Sequence, residues 1–238
     1  MGRVVTAMAD EKPDMTITAG IDINETKPCS YPIYSDPNDI TEKADVIIDF
    51  SAATALTKLL DYSKKQNLPI ILCATGYNSE QIKQIEEASK QIPVFRSGNM
   101  SVGINLLIDL IKRACTVLGE DFDVEIIEKH HRRKKDAPSG TALMLADAAK
   151  EALPYKPEYI YERESKNTPR DKKEIGISAV RGGTIVGQHD VIFAGTDEVI
   201  ELHHTAASRE VFAAGALKAA KFMAGKTPGL YNMQDVLG

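Results

Sequence analysis

Apolar and polar positions in the first half of the chain switch repeatedly between two periods. Residues 4–9 carry apolar side chains at helical spacing and predict a short helix, and residues 15–21 predict a strand ending at Asp22. The run A-D-V-I-I-D-F at 44–50 is β-branched and apolar, the pattern of a strand buried on both faces. Residues 52–65 return to helical spacing, 69–73 (P-I-I-L-C) predict a strand, 79–90 a helix with a polar face, and 93–95 the start of another strand. Residues 102–118 again hold apolar positions at helical spacing. Strands alternating with helices predict an α/β, doubly wound domain whose parallel sheet is covered on both faces.

The pattern changes after Asp121. Residues 122–128 predict a strand and 141–152 a helix. From Glu174 onward three strand-like runs follow: E-I-G-I-S-A-V-R, T-I-V-G-Q-H-D-V-I-F-A and E-V-I-E-L-H-H-T-A. Gly182-Gly183 and Gly195-Thr196-Asp197 punctuate them as turns. This predicts an α+β region with a mixed or mostly antiparallel sheet. A final helix is predicted over 208–223, with Ser208 as its N-cap.

Composition narrows the function classes. Net charge is −5, so general attraction to nucleic acid is not expected and any basic cluster must act locally. No apolar run reaches the roughly 18 residues that span a bilayer, and the first ten residues lack the apolar core of a secretory signal. Three cysteines, Cys29, Cys73 and Cys115, show no C-x-x-C spacing; a reduced, cytoplasmic setting and no bound metal are the expectation.

Several signals point to a dinucleotide. An acidic side chain at a strand end, such as Asp22, can accept from a ribose hydroxyl. Cys73-Ala74-Thr75-Gly76 and Ser97-Gly98-Asn99-Met100 each follow a strand and offer small residues for close backbone approach. The Gly-rich turn and first strand of a doubly wound domain are not present ahead of residues 4–9, and an incomplete record of the N-terminus is the expectation.

The densest chemistry lies at E-K-H-H-R-R-K-K-D-A-P-S-G-T, residues 128–141. His130 and His131 follow a strand, four cations come next, and Pro138, Ser139 and Thr141 mark a helix start. Imidazoles and ammonium groups beside a helix N-terminus suit an anionic substrate, and both can exchange protons. A basic run is more often a solvated loop, and a His pair at a strand end is often structural. Their combination in an acidic chain favours function. His203-His204 sits inside a strand pattern that sends its rings to opposite faces, and is read as structural.

The motif E-x-H-H-x-x-K-x-D-A-P-S-G-T-A resembles the signature of the 4-hydroxy-tetrahydrodipicolinate reductase family, also called dihydrodipicolinate reductases, of lysine and diaminopimelate biosynthesis. Segments 45–51, 74–76, 98–105, 181–189 and 193–198 extend the resemblance over essentially the whole chain. It implies His130 and Lys134 as proton-handling catalytic residues and His131, Gly140 and Thr141 as substrate contacts. It implies cofactor contacts at Met1, Asp22, Cys73, Ala74, Thr75, Ser97, Gly98, Asn99 and Met100. Met1 and Gly2 match the tail of the family's Gly-rich turn, so about fifteen preceding residues are expected. A Rossmann-like cofactor domain is expected at 1–101 and 209–238, with a substrate-binding and oligomerisation domain at 102–208. NADH or NADPH, a small dicarboxylate substrate and a homotetramer are also implied. Ile23, where some members carry Arg, leans toward NADH. Two rivals remain: a related amino-acid dehydrogenase, and a cofactor-deficient anion-binding or assembly protein.

Overall fold

The computed structural model describes residues 1–24 and 29–238. In chain order the elements are α1 (Gly2–Asp10), β1 (Gly20–Ile21), β2 (Ile33–Tyr34), β3 (Ile47–Asp49), α2 (Leu56–Gln66), β4 (Ile70–Leu72), α3 (Ser79–Ser89), β5 (Pro93–Arg96) and α4 (Val102–Leu118). Then follow β6 (Asp123–His130), α5 (Gly140–Ala152), β7 (Glu158–Ile160), β8 (Glu174–Arg181), β9 (Gly187–Ala194), β10 (Val199–Ala206), α6 (Glu210–Met223), β11 (Gly229–Tyr231) and α7 (Met233–Leu237). The chain divides into two compact units, Met1–Met100 with Glu210–Gly238, and Ser101–Arg209.

The first unit holds a parallel, Rossmann-like sheet in the order β11-β5-β4-β3. All four strands run the same way, so their carboxyl ends share one edge. Ile70, Ile71 and Leu72 of β4 are fully buried, as a strand covered on both faces requires. Ile47, Ile70, Leu72 and Val94 pack with Leu56, Leu59 and Leu60 of α2 and Ile85 of α3. Ile48 and Phe50 instead join Val5 and Ala9 of α1 and Ala213 and Leu217 of α6. Alternate residues of β3 thus feed two apolar layers.

Two expectations need correction here, and one strand lies outside them. The strand expected over 15–21 is only the two-residue β1, paired in parallel with β2. Residues 15–19 form no ladder; Met15 and Ile17 use their apolar side chains to pack beside α1 and α6. The last helix begins at Glu210, two residues beyond the expected Ser208. The chain also returns to the sheet as β11, whose three residues are too few to show a period.

The second unit is built on a mixed sheet, order β10-β9-β6-β8-β7. β10, β9 and β6 pair antiparallel, while β6, β8 and β7 pair parallel. One face is covered by α4 and α5, which contribute Ile104, Leu107, Ile111, Leu145 and Ala149 to a core with Val124, Ile126, Val191 and Phe193. Ser101 caps α4 by accepting from the Ile104 N–H at 3.3 Å. Strand β6 alternates strictly, so Val124, Ile126, Glu128 and His130 all point to the covered face. The strand runs through His130, two residues past its expected end, because its ladder to β8 continues to the His130–Arg181 pair.

Helix α6 passes so close to the loop after β5 that a Cβ at Gly215 would lie 1.7 Å from the Met100 carbonyl oxygen. Backbone must move to accept any side chain there. Gly215→Ala is expected to cost about 1–3 kcal/mol of stability, read from urea denaturation. An unchanged midpoint would show that the loop does not depend on this approach.

Candidate active site

Alternation in β6 carries two polar residues onto an otherwise apolar face. Glu128 is fully buried and His130 nearly so. The Glu128 carboxylate gathers four donors. Arg181 Nη1 and Nη2 reach Oε2 and Oε1, each at 2.7 Å. The Ser139 N–H donates to Oε1 at 2.9 Å, and His130 Nδ1 lies 2.6 Å from Oε2. Burial alone would push this carboxyl's pKa up; the hydrogen bonds from Arg181 and His130 outweigh it and hold the group below the usual carboxylate range.

Arg181 is placed by register, as the residue of β8 that pairs with His130. Its guanidinium also donates to the Asp136 carbonyl at 2.6 Å, so it links the end of β8 to the loop before α5. The Gly182 N–H donates to the His130 carbonyl and the Arg132 N–H to the Gly183 carbonyl, which fastens the two strand ends together.

Ser139 begins α5. Its Oγ accepts from the Ala142 N–H at 3.1 Å, an N-cap, and lies 3.1 Å from His189 Nε2. The His189 ring meets His130 edge to face at 5.3 Å. Burial first, then the neighbouring His130, pulls the His189 pKa down to about 4, so it is neutral near pH 7.

The residues expected at the site come together unevenly. His130, His131, Lys134, Gly140 and Thr141 all lie on the stretch from the end of β6 to the first turn of α5. His131 Nδ1 is buried without a hydrogen-bond partner. Lys134 Nζ pairs with the Asp136 carboxylate at 2.9 Å, a contact that holds the Asp136 pKa down. Gly140 and Thr141 supply the first backbone N–H groups of α5, the end of a helix that favours anions. Arg132, Arg133 and Lys135 are exposed. On β10, His203 is exposed and bonded to Asp190 and Thr205, while His204 turns to the other face beside Ser101.

In the first unit, Cys73, Ala74 and Thr75 follow β4 and Ser97, Gly98, Asn99 and Met100 follow β5, at the shared carboxyl edge. Gly76 closes the first of these turns at φ +81°, with no atom near its would-be Cβ. Asp22 follows β1, and Met1 precedes α1, its carbonyl accepting from the Val4 and Val5 N–H groups. The same edge holds the buried Asp49, whose Oδ1 accepts from the Ser51 N–H while Oδ2 has no partner. Desolvation raises its pKa. These features fit a nicotinamide dinucleotide: a carboxylate for ribose hydroxyls, and small-residue turns where parallel strands end.

Residues 1–100 match the model for the N-terminus of dihydrodipicolinate reductase, and residues 103–237 match that for its C-terminus. The chain belongs to the dihydrodipicolinate reductase family. A 4-hydroxy-tetrahydrodipicolinate reductase of Caldanaerobacter subterraneus subsp. tengcongensis is 56% identical over 237 residues, covering 100% of this chain and 94% of the relative. That of Clostridium tetani is 51% identical, covering 100% and 92%. A dipicolinate-bound dihydrodipicolinate reductase from Paenisporosarcina sp. TG-14 shares the fold, with TM-score 0.79, 23% identity, and 97% and 92% coverage. A probable dehydrogenase from Thermotoga maritima shares it more distantly, with TM-score 0.64, 11% identity, and 99% and 89% coverage.

Sequence reasoning gave no task to Glu128, Arg181 or His189 of this reductase-family chain. Period-two spacing from Val124 to His130 carried the signal for Glu128, since it places that carboxylate on the His130 face. Arg181 lies 53 residues from Glu128 with no local signal joining them.

The arrangement dictates how Arg181 should respond to mutation. Glu128 stabilises the fold at pH values above its unfolded pKa, about 4.3, and that contribution is lost as pH falls through its lower folded value. Arg181→Met leaves the buried carboxylate uncompensated and is expected to cost about 3–5 kcal/mol near pH 7. The difference from wild type should shrink toward acid pH, where the stranded carboxyl takes up a proton. Urea denaturation at several pH values checks this; a pH-independent difference would contradict it.

Proposed function

We propose that this chain reduces 4-hydroxy-tetrahydrodipicolinate to tetrahydrodipicolinate with NADH or NADPH, a step of lysine and diaminopimelate biosynthesis. The observation that carries the reading is the placement of His130 and the start of α5 on one buried carboxylate, with Lys134 in the loop between them, in a chain matched by the family along its length. The unit Met1–Met100 with Glu210–Gly238 binds the cofactor and the unit Ser101–Arg209 the substrate. Met1, Asp22, Cys73, Ala74, Thr75, Ser97, Gly98, Asn99 and Met100 line the cofactor's place, and the bound cofactor supplies a hydride. The exposed Ile23 brings no cation for a 2′-phosphate, which favours NADH.

The substrate's chemistry sets the remaining tasks. Its two carboxylates need donors, and the Gly140 and Thr141 N–H groups supply them, with the His131 imidazole as a further contact. Loss of the 4-hydroxyl as water leaves a conjugated ring, and its reduction consumes one hydride and one proton. The Lys134 ammonium and the His130 imidazolium are the acids at hand, and their positive charge favours the electron-rich ring. Assembly into a homotetramer is part of the same reading and rests on the family resemblance. No helix among the described residues is long and apolar enough to cross a membrane.

His130→Gln and Lys134→Ala are each expected to lower kcat by about 10²–10⁴-fold while leaving the fold intact. Cofactor absorbance with 4-hydroxy-tetrahydrodipicolinate measures this, and wild-type turnover by the double variant would refute the assignment. Comparing NADH with NADPH in the same assay tests the preference, with a higher kcat/KM for NADH expected.

A further inference from the structure

Glu128 is saturated. An ionised carboxylate offers about four acceptor sites. Two Arg181 N–H groups, the Ser139 N–H and His130 Nδ1 occupy them, at 2.6–2.9 Å. No capacity is left with which Glu128 could itself accept a proton from a substrate. Its influence on the chemistry must pass through the groups it holds. A carboxylate that accepts at His130 Nδ1 requires that nitrogen to carry hydrogen, which leaves the Nε2 lone pair for exchange.

The other side of the ring shows a matching feature. A Cβ added at Gly187 would lie 3.2 Å from His130 Nε2 and 3.6 Å from its Cδ2. That is a tight approach to the one ring nitrogen left open. Strand β9 therefore keeps a bare position beside Nε2, two residues before His189 packs on the same ring.

We propose that Glu128 is a positioning residue that commits His130 to the Nδ1–H tautomer and, with Gly187 leaving Nε2 uncrowded, makes Nε2 the proton-exchanging atom. The same carboxylate holds the Ser139 N–H, so one rigid group sets both the imidazole and the first turn of α5, where the substrate carboxylate is received. This inference rests on the reductase reading given above. Ionisable groups around the ring are Glu128 on its own strand, Arg181 from β8, His189 from β9, and Lys134 with Asp136 from the following loop; His204 of β10 acts on His189. Near pH 7 His189 is neutral, so the buried Glu128 and the half-buried Arg181 are the charges beside the ring.

The test has two arms. In the first, ¹⁵N shifts of the imidazoles are recorded on histidine-labelled wild-type protein at alkaline pH, with His130→Gln identifying the signal. An Nδ1–H pattern is expected for His130; an Nε2–H pattern overturns the proposal, and no variant of Glu128 has to fold for this to be decided. In the second, Glu128→Gln replaces the carboxylate that accepts at Nδ1 with an amide of the same size. Its kcat should fall about 100-fold, and the ¹⁵N pattern of His130 should lose its Nδ1–H preference. A merely structural role would reduce the amount of active enzyme without changing the tautomer, so an unchanged Nδ1–H pattern in folded Glu128→Gln overturns the proposal. Gly187→Ala should lower kcat as well, by crowding Nε2, with NADH binding unchanged. Wild-type turnover of the substrate separates the two layers: if it is absent the reductase reading fails, and if it is present with an Nε2–H tautomer only the positioning role fails.

Discussion

A carboxylate with no solvent contact survives in the second unit because four donors converge on it. Glu128 sits on the covered face of β6, where Val124 and Ile126 precede it in an apolar layer. Without Arg181 the desolvation would be prohibitive, and the group would take up a proton. With Arg181 it stays charged and becomes a fixed acceptor. Three separate pieces of chain then align on it: the end of β6 through His130, the end of β8 through Arg181, and the start of α5 through Ser139.

That convergence explains why the site lies where β6 ends. The parallel pairing of β6 with β8 brings Arg181 beside His130, and the antiparallel pairing with β9 brings His189 opposite Glu128. A mixed sheet is what allows one strand to receive a cation from one side and a neutral imidazole from the other. Ser139 then couples this layer to the helix start, since its N–H serves Glu128 and its Oγ serves both the cap and His189. Much of the basic run takes no part in this network: Arg132, Arg133 and Lys135 point to solvent, while Lys134 is tied to Asp136.

Legibility in the sequence followed the range of the interactions. Helix α4 was readable to the residue because its apolar period and the Ser101 cap are local. The strands at 47–49 and 70–72 were readable as apolar runs, although only 70–72 is buried on both faces; Ile47 and Ile48 of the edge strand β3 are half-buried. β1 was overread, since apolar residues at 15–19 pack without forming a ladder, and β7 and β11 were missed because three residues carry no period. The segment 128–141 stood out through its density of imidazole and charge. Its organising contact did not, because Glu128 and Arg181 are joined only by the strand register.

The central claim is that the substrate carboxylate is received at the first turn of α5, beside the His130 that Glu128 orients. Dipicolinate, a planar dicarboxylate, is the direct probe. A crystal structure of this chain with dipicolinate and reduced cofactor should show one carboxylate accepting from the Gly140 and Thr141 N–H groups, with the ring facing His130 Nε2. Dipicolinate seated away from α5, or His130 turned so that Nδ1 leaves Glu128, would contradict the account.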